Sequence, residues 1–580
     1  MPQSAWADYA GHALGAGGGI FSRSARTLVI SEVARAMLGL PDTRTTPNAV
    51  INALLKVEAD LLWLGGIGTY VKASSERHEQ VDDHACDAIR VDANQLRCKF
   101  VGEGANLGFT QKARIEYAMH GGRINTDAID NAGGVNCSDH EVNIKILLAQ
   151  AMKAGKLDLK ERDALLASMT DEVAALVLRD NYLQSQALSV ALANAPQMID
   201  THQRLMQSLE HSGHLDRKLA SLPDDEELRA RRAAGMGLLR PELAMLLAYT
   251  KIAIYTEIIR SELPDAPLFS QDLAQYFPVP LQQRFEAEIE THPLRREIVA
   301  TMMVNDMVNR VGSGFVNDLQ ERTGNGDAEA MRAYAVVRDV FGLERYWSAV
   351  EGLDGKVTGE TQVLLLLAAR KLVETATFWV LRNVPTPIDV SAAVRRFGQP
   401  VAHLLEHLPD LMNAERKKEY NARLSAGQLR GIPAGLARSY AALRDLEGAF
   451  DMVRLAERLR LPIEQVGRVC FQIHEALQIP ALQAAIAAIP CHSALENMAA
   501  LGLRDQLGDT LVRLVERLLA QQGSNTGMTG SALLEKFLAG KSFQQHRLQT
   551  FTADLRRDEP PSLALLTVIS QTLAMIAENP

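Results

Sequence analysis

Two glycine-bearing runs hold the residue types that could do chemistry. The first is Gly102-Glu103-Gly104-Ala105-Asn106-Leu107-Gly108, which follows the strand-like stretch Arg97 to Val101 and precedes a helical stretch opened by Thr110. A strand that ends in glycine and passes into a helix can bring backbone amides to a phosphate, because a helix start has unpaired N–H groups and the positive end of a dipole. The spacing here is G-x-G-x-x-x-G, one residue longer than the G-x-G-x-x-G of a pyrophosphate turn. An ordinary tight strand-to-helix turn and a phosphate site both stay open, with the spacing on the side of the turn.

The second run is Asn131-Ala132-Gly133-Gly134-Val135-Asn136-Cys137-Ser138-Asp139-His140-Glu141. Ser138 followed by Glu141 predicts a capping box for a helix that begins there. The paired glycines let backbone approach a ligand closely, and a helix start offers amides to a carboxylate, so capping and binding are compatible. Cys137 and His140 stand three apart and Cys491 abuts His492, but no second pair at ligand spacing accompanies either, and no metal site is expected. Neither a G-x-S-x-G elbow nor a G-x-x-x-x-G-K-[ST] loop occurs, which argues against hydrolase and nucleotide-phosphatase chemistry.

These runs need elements to hold them. Thr27 to Ile30, Asp60 to Trp63 and Arg97 to Val101 are predicted strands, the second ending at Gly65 and Gly66 and the third at Gly102, with helical stretches over 46–57 and 78–89 between them. Such alternation predicts parallel βαβ units, whose ligands gather at the C-terminal ends of the strands. From Glu141 onward apolar residues recur at three and four, as in Val142, Ile146 and Leu147 or Leu243, Leu246 and Leu247, and prolines punctuate a long helical region without a fixed repeat. The fold class is therefore α/β with a parallel sheet over about the first quarter of the chain, then a large all-α C-terminal region.

At 580 residues the chain is too long for one hydrophobic core. Its net charge of −9, without a basic stripe, argues against a nucleic-acid partner. Five scattered cysteines, Cys86, Cys98, Cys137, Cys470 and Cys491, suit a reducing compartment better than a disulfide framework. The start Met1-Pro2-Gln3-Ser4-Ala5-Trp6 lacks a secretion signal, and apolar runs such as 363–369 and 481–489 fall short of the ~20 residues of a membrane span. A cytoplasmic protein with no membrane partner is expected.

The E-G-A-N turn at Glu103 to Asn106 and the N-A-G-G-V segment at Asn131 to Val135, followed by Ser138, resemble the glutamate dehydrogenase family. The runs Trp63-Leu64-Gly65-Gly66-Ile67-Gly68-Thr69-Tyr70-Val71-Lys72, Gly121 to Asp130, Leu239 to Ala244 and His292 to Glu297 are similar to its very large bacterial NAD-dependent members. The resemblance spans most of the chain and is densest over 60–150. It implies the C-terminal part of a Rossmann-like NAD-binding domain over 1–150, a helical domain over 151–340 and a C-terminal helical domain over 341–580. It also implies oxidative deamination of L-glutamate to 2-oxoglutarate and ammonia, NAD as cofactor and a homo-oligomer. By resemblance Asn106 would contact the nicotinamide ribose and Asn131 the carboxamide, with Gly65 and Gly66 bordering the cofactor. Val135 and Ser138 would lie against the substrate, the Ser138 hydroxyl donating to its side-chain carboxylate.

The departure from the family pattern is equally informative. Neither the earlier strand with its phosphate turn nor the substrate domain with its lysines and aspartate is found here, so the catalytic residues are expected upstream of Met1, in a preceding part of the same enzyme, and the chain reads as a fragment, a split gene product or a truncated chain. Oxidising an amine requires a base, and the charged residues nearest the glycine turns are Lys72, Asp127 and Asp130. Their ordinary reading is a solvated lysine and aspartates that bond backbone amides. The rival to the enzyme reading is a catalytically incomplete fragment serving as a helical oligomerisation or regulatory module.

Overall fold

Short apolar runs bounded by serine, threonine and glycine set the first elements. Ser31 accepts from the Ala34 amide and starts helix α1 (Glu32–Leu38), which Gly39 ends at φ 64°, a backbone conformation natural to glycine. Thr46 caps α2 (Pro47–Leu55), with Pro47 in the first turn, where its missing N–H is harmless. On either side of α1, strands β1 (Leu28–Val29) and β2 (Arg44–Thr45) pair antiparallel, because the turn after α1 brings the chain back on itself. The computed structural model describes residues 6–9, 14, 15, 17–489, 494–522, 529–539, 546, 550 and 562–578.

The central elements are four short strands: β3 (Leu61–Leu64), β4 (Val71–Lys72), β5 (Val91–Asp92) and β6 (Phe100–Glu103). β3 runs parallel to β6, with Leu61 opposite Phe100 and Leu64 opposite Glu103, and β4 runs parallel to β5. Beyond β6, the Val101 amide donates to the Arg123 carbonyl at 2.9 Å, which extends that sheet by one bridge. Leu55, Leu64, Val71, Val101, Phe109, Tyr117 and Ile124 form one buried cluster with these strands. The stretch 78–89 is not the predicted helix but two short 3-10 turns, His78–Gln80 and His84–Cys86. Side chains have taken up the local backbone groups: Asp83 accepts from the Thr69 amide at 2.7 Å, and Arg90 donates to the carbonyls of Thr69 and Asp83. The link from β3 to β6 therefore carries β4 and β5 rather than a crossover helix, and the small parallel pairs stand in place of one continuous sheet.

Helices follow: α3 (Gln111–Met119), α4 (Asp127–Asp130), α5 (Ala132–Lys153), α6 (Leu159–Ser168), α7 (Thr170–Ala193), α8 (Ile199–His211), α9 (Asp225–Ala233) and α10 (Arg240–Arg260). α7 packs on α5 and on α10, and α10 also reaches α3. Pro241 stands in the first turn of α10, and Glu242 behind it is 1% exposed. A carboxylate so deeply buried needs partners, and it has them: the Leu239 amide at 2.7 Å and the Arg231 guanidinium at 2.6 and 2.8 Å. Two compact units divide the chain, Met1–Asp318 and Leu319–Pro580. In the second, helices such as Gly359–Asn383, Val390–Leu411 and Ala449–Leu459 enclose Trp379, Phe397 and Phe450, whose ring centroids lie 4.9 to 5.7 Å apart. Pro433, Pro462 and Pro480 stand at helix starts, as their fixed φ suits, while Pro490 lies outside the described residues. Among the described residues, no helix is long and apolar enough to cross a membrane.

Candidate functional site

Because β3 and β6 are parallel, both end on the same side, and the loops that follow them meet. The Ala105 amide donates to the Leu64 carbonyl at 3.0 Å, which sets Gly65-Gly66 beside the Gly104-to-Asn106 turn. Gly65 and Gly66 are exposed, and a Cβ on Gly66 would meet nothing within 4 Å. Backbone is therefore exposed here with no side chain over it. A Cβ on Gly102 or Gly104 would instead come within 2.6 or 2.4 Å of the Trp63 ring, so the absence of side chains there lets the indole lie across the end of β6.

Glu103, fully buried, organises the turn. Its Oε1 accepts from the Phe109 amide at 3.1 Å and from Arg114 Nη2 at 2.9 Å, and its Oε2 from Arg114 Nε at 2.7 Å. Leu107, at φ 61°, is held by a bond from its amide to Asp127 at 2.8 Å. Asp130 accepts the Glu103 amide at 3.0 Å on one oxygen and the Asn125 side-chain amide at 2.6 Å on the other. The residue after it, Asn131, donates to the side-chain oxygen of Asn106 at 2.7 Å. Asp127, Asp130 and Asn131 thus clasp the first glycine run along its length, and the two runs singled out in the sequence form one structure. The two aspartates bond backbone amides, which is the ordinary reading given to them. Lys72 departs from its reading: it is buried and ion-paired with Asp92, because the β4–β5 register sets the two opposite each other.

The second run differs from the prediction. Asn131 breaks the backbone between α4 and α5 at φ −100° and ψ 11°, and α5 begins at Ala132. Ser138 therefore lies inside the helix, its hydroxyl donating to the Gly134 carbonyl at 3.3 Å, and the capping box predicted there does not form. The glycines do not interrupt the helix; a Cβ on Gly133 would make ordinary contact with Val177 of α7 at 3.7 Å. Asn131, Val135 and Ser138 fall at i, i+4 and i+7 and so share one face, on which Val135 is 71% exposed. The opposite face is fastened to the helices behind it. Asn136 donates to Asp180 at 2.8 Å, His140 stacks on Tyr276 at 4.3 Å, and Tyr276 accepts from Asn143 and donates to Asp139. Burial pushes the His140 pKa down. Cys137 is exposed and His140 buried, so their spacing brings no shared ligand position, and Cys491 and His492 lie outside the described residues.

The arrangement suits a ligand that offers both donors and acceptors. The Asn131–Asn106 bond engages one donor of the first and the acceptor of the second, which leaves the Asn106 NH2 and the Asn131 Oδ1 to face a third group. A carboxamide and a ribose hydroxyl have matching groups, and the exposed Gly65 and Gly66 put no side chain in the way, so the residues present fit a nicotinamide nucleoside. The sequence reading missed Glu103, Arg114 and Asn125 as organisers. A signal was available for Asn125 alone: Asn125, Asp127 and Asp130 are hydrogen-bonding side chains interleaved with the buried Ile124 and Ile129.

Residues 1–191 match the family model described as bacterial NAD-glutamate dehydrogenase, catalytic domain, and residues 235–575 match glutamate dehydrogenase, C-terminal. The chain is 42% identical over 507 residues to the NAD-specific glutamate dehydrogenase of Pseudomonas aeruginosa, covering 87% of this chain and 31% of that protein. It is 38% identical over 523 residues to the NAD-specific glutamate dehydrogenase of Halomonas elongata, with 90% and 32% covered. The protein of the same name from Mycobacterium tuberculosis is 34% identical over 582 residues, with 99% and 35% covered. The chain spans about a third of the length of the curated relatives it matches.

Proposed function

The chain belongs to the bacterial NAD-glutamate dehydrogenase family, and from that premise we propose that it supplies the nicotinamide and substrate side of a cleft in which L-glutamate is oxidatively deaminated to 2-oxoglutarate and ammonia. The observation that carries this reading is the Asn131–Asn106 bond at the shared end of β3 and β6, which unites the two runs beside the exposed Gly65 and Gly66. We read residues 1–150 as the far part of a Rossmann-like dinucleotide-binding domain, with ligands at the strand ends as such sheets place them.

NAD, when bound, supplies the hydride acceptor. Asn106 holds the nicotinamide ribose and Asn131 the carboxamide, while Gly65 and Gly66 leave space for the ring. The exposed face of α5 meets the substrate: Val135 gives an apolar contact, and the Ser138 hydroxyl turns from the Gly134 carbonyl to the substrate's side-chain carboxylate. A carboxylate leaving water needs such donors to offset lost hydration. No residue of this chain is assigned the base or the activation of water; these roles, with the phosphate-binding turn, are read into the part of the relatives' length that this chain does not span. The homo-oligomer belongs to the same proposal.

The test is NADH formation from L-glutamate, followed by absorbance, with this chain alone and with this chain combined with a polypeptide covering the remaining length of its relatives. Activity in the mixture that collapses with Asn131→Ala is the expected result. A mixture that forms a stable complex and binds NADH unchanged by Asn131→Ala sinks the site assignment.

A further inference from the structure

Helix α10 begins far along the chain from the glycine turn, yet its first residue reaches the turn's supports. Arg240 Nε donates to the side-chain oxygen of Asn125. Its two terminal nitrogens donate to Ser189 Oγ at 3.0 Å and the Ser185 carbonyl at 3.1 Å, both on α7. Asn125 passes the contact on, since its amide donates to Asp130 at 2.6 Å, and the other oxygen of Asp130 takes the Glu103 amide at 3.0 Å. Asn131, the partner of Asn106, is the next residue in the chain. A second tie runs alongside, from the Gln111 side-chain amide to the Pro241 carbonyl at 3.2 Å.

We propose that Arg240 is a positioning residue for the cleft: it holds Asn125, and through it Asp130, so that Asn131 stays paired with Asn106. The inference rests on the cleft reading above. A planar guanidinium suits this task, because its rigid fork can satisfy α7 on one side and Asn125 on the other in a single geometry, which an ammonium on a flexible stem cannot. Arg240 sits behind the turn and is no catalytic residue. Its consequence is that the α7–α10 packing sets the orientation of the two asparagines.

The test uses amide hydrogen exchange on this chain combined with the polypeptide that covers the remaining length of its relatives, with and without NADH, for the wild type, Arg240→Gln and Asn125→Ala. Both variants break the same relay, the second with the smaller perturbation. Exchange of the Glu103 and Leu107 amides is expected to quicken on the order of tenfold in each, while the helix Arg295–Val311 keeps its protection, and Arg240→Lys restores the turn only in part. NADH protection of the turn falls in step. Folded variants with unchanged exchange over 103–107, or with quickened exchange and undiminished NADH protection, overturn the proposal. If the wild type gains no protection from NADH while the variants still quicken the turn, the relay stands and the cofactor reading is what fails.

Discussion

The Asn131 side-chain amide donates to the side-chain oxygen of Asn106 at 2.7 Å, joining residues 25 apart in sequence across the break between α4 and α5. Neither residue is deeply buried, so their bond orders a surface rather than holding the core. Asn106→Ala and Asn131→Ala are each expected to leave unfolding within about 1 kcal/mol of wild type and to weaken NADH binding on the order of tenfold. Because each side chain meets its own cofactor group and the two also share one bond, the double variant should lose more than either single one but less than the sum of both. Calorimetric titration of NADH into this chain combined with the polypeptide covering the remaining length of its relatives checks this, and fully additive losses would show that the Asn131–Asn106 bond contributes nothing to binding.

Much of this site was legible in the residue types, and the rest was not, for physical reasons. Gly65 and Gly104 mark strand ends, whereas the third predicted strand, ended at Gly102, runs through that glycine to Glu103 because β3 goes on pairing with it, and Thr110 caps α3 through a purely local bond to the Ala113 amide. Local signals failed where a distant partner decides. Ser138 and Glu141 have the capping spacing, but the break at Asn131 starts the helix two turns earlier, and Gly133 and Gly134 lie inside the helix rather than stopping it. Residues 78–89 look helical until Asp83 and Arg90 engage Thr69. Lys72 looks solvated until β5 brings Asp92. Each of these outcomes depends on tertiary contacts that propensity does not encode.

Glu103 and Arg114 form a buried ion pair, with side-chain exposures of 0% and 6%. Removing Glu103 leaves the buried Arg114 with Asp127 at 3.2 Å in place of its bidentate partner, so Glu103→Ala is expected to destabilise the first unit by about 3 kcal/mol. Replacing both, as Glu103→Met with Arg114→Leu, should be milder, since the charge then left without Arg114 is Asp127, which keeps the Leu107 amide. Urea unfolding of the two variants beside wild type gives the answer, and equal losses in both contradict the pairing argument.

Trp63 lies against Gly102 and Gly104, closely enough that a Cβ at Gly104 would sit 2.4 Å from the ring. Gly104→Ala must therefore push the indole away, and because Trp63 is 60% exposed it can yield at about 1–2 kcal/mol. In a Trp63→Ala background the same change should be nearly neutral. Thermal unfolding of the four proteins checks the coupling; an undiminished penalty without Trp63 would assign it to backbone geometry.

His140 ties the back of α5 to the helices behind it, and its titration makes that attachment acid-sensitive. The ring is 2% exposed, stacks on Tyr276, and has neither nitrogen hydrogen-bonded. Burial lowers its pKa, and the nearby Asp139 and Asp180 oppose that shift without cancelling it. The folded state thus takes up a proton later than the unfolded chain as pH falls. Above the ordinary histidine value of about 6.5 both states are neutral and stability is unaffected. Below it the unfolded state gains protons first, and stability declines until pH reaches the lowered folded value, at no more than about 1.4 kcal/mol per pH unit. His292, also buried with a lowered pKa, adds a decline of the same sign. His140→Phe keeps a ring on Tyr276 and removes one titration, so denaturant unfolding between about pH 6.5 and 5 should show a shallower slope than wild type. It should also show a higher stability at the acid end, where an unpartnered ring nitrogen no longer resists protonation. An unchanged slope in His140→Phe would mean that the histidine ring reaches water in the folded state, and the fastening of α5 would then rest on Asn136 and Asn143.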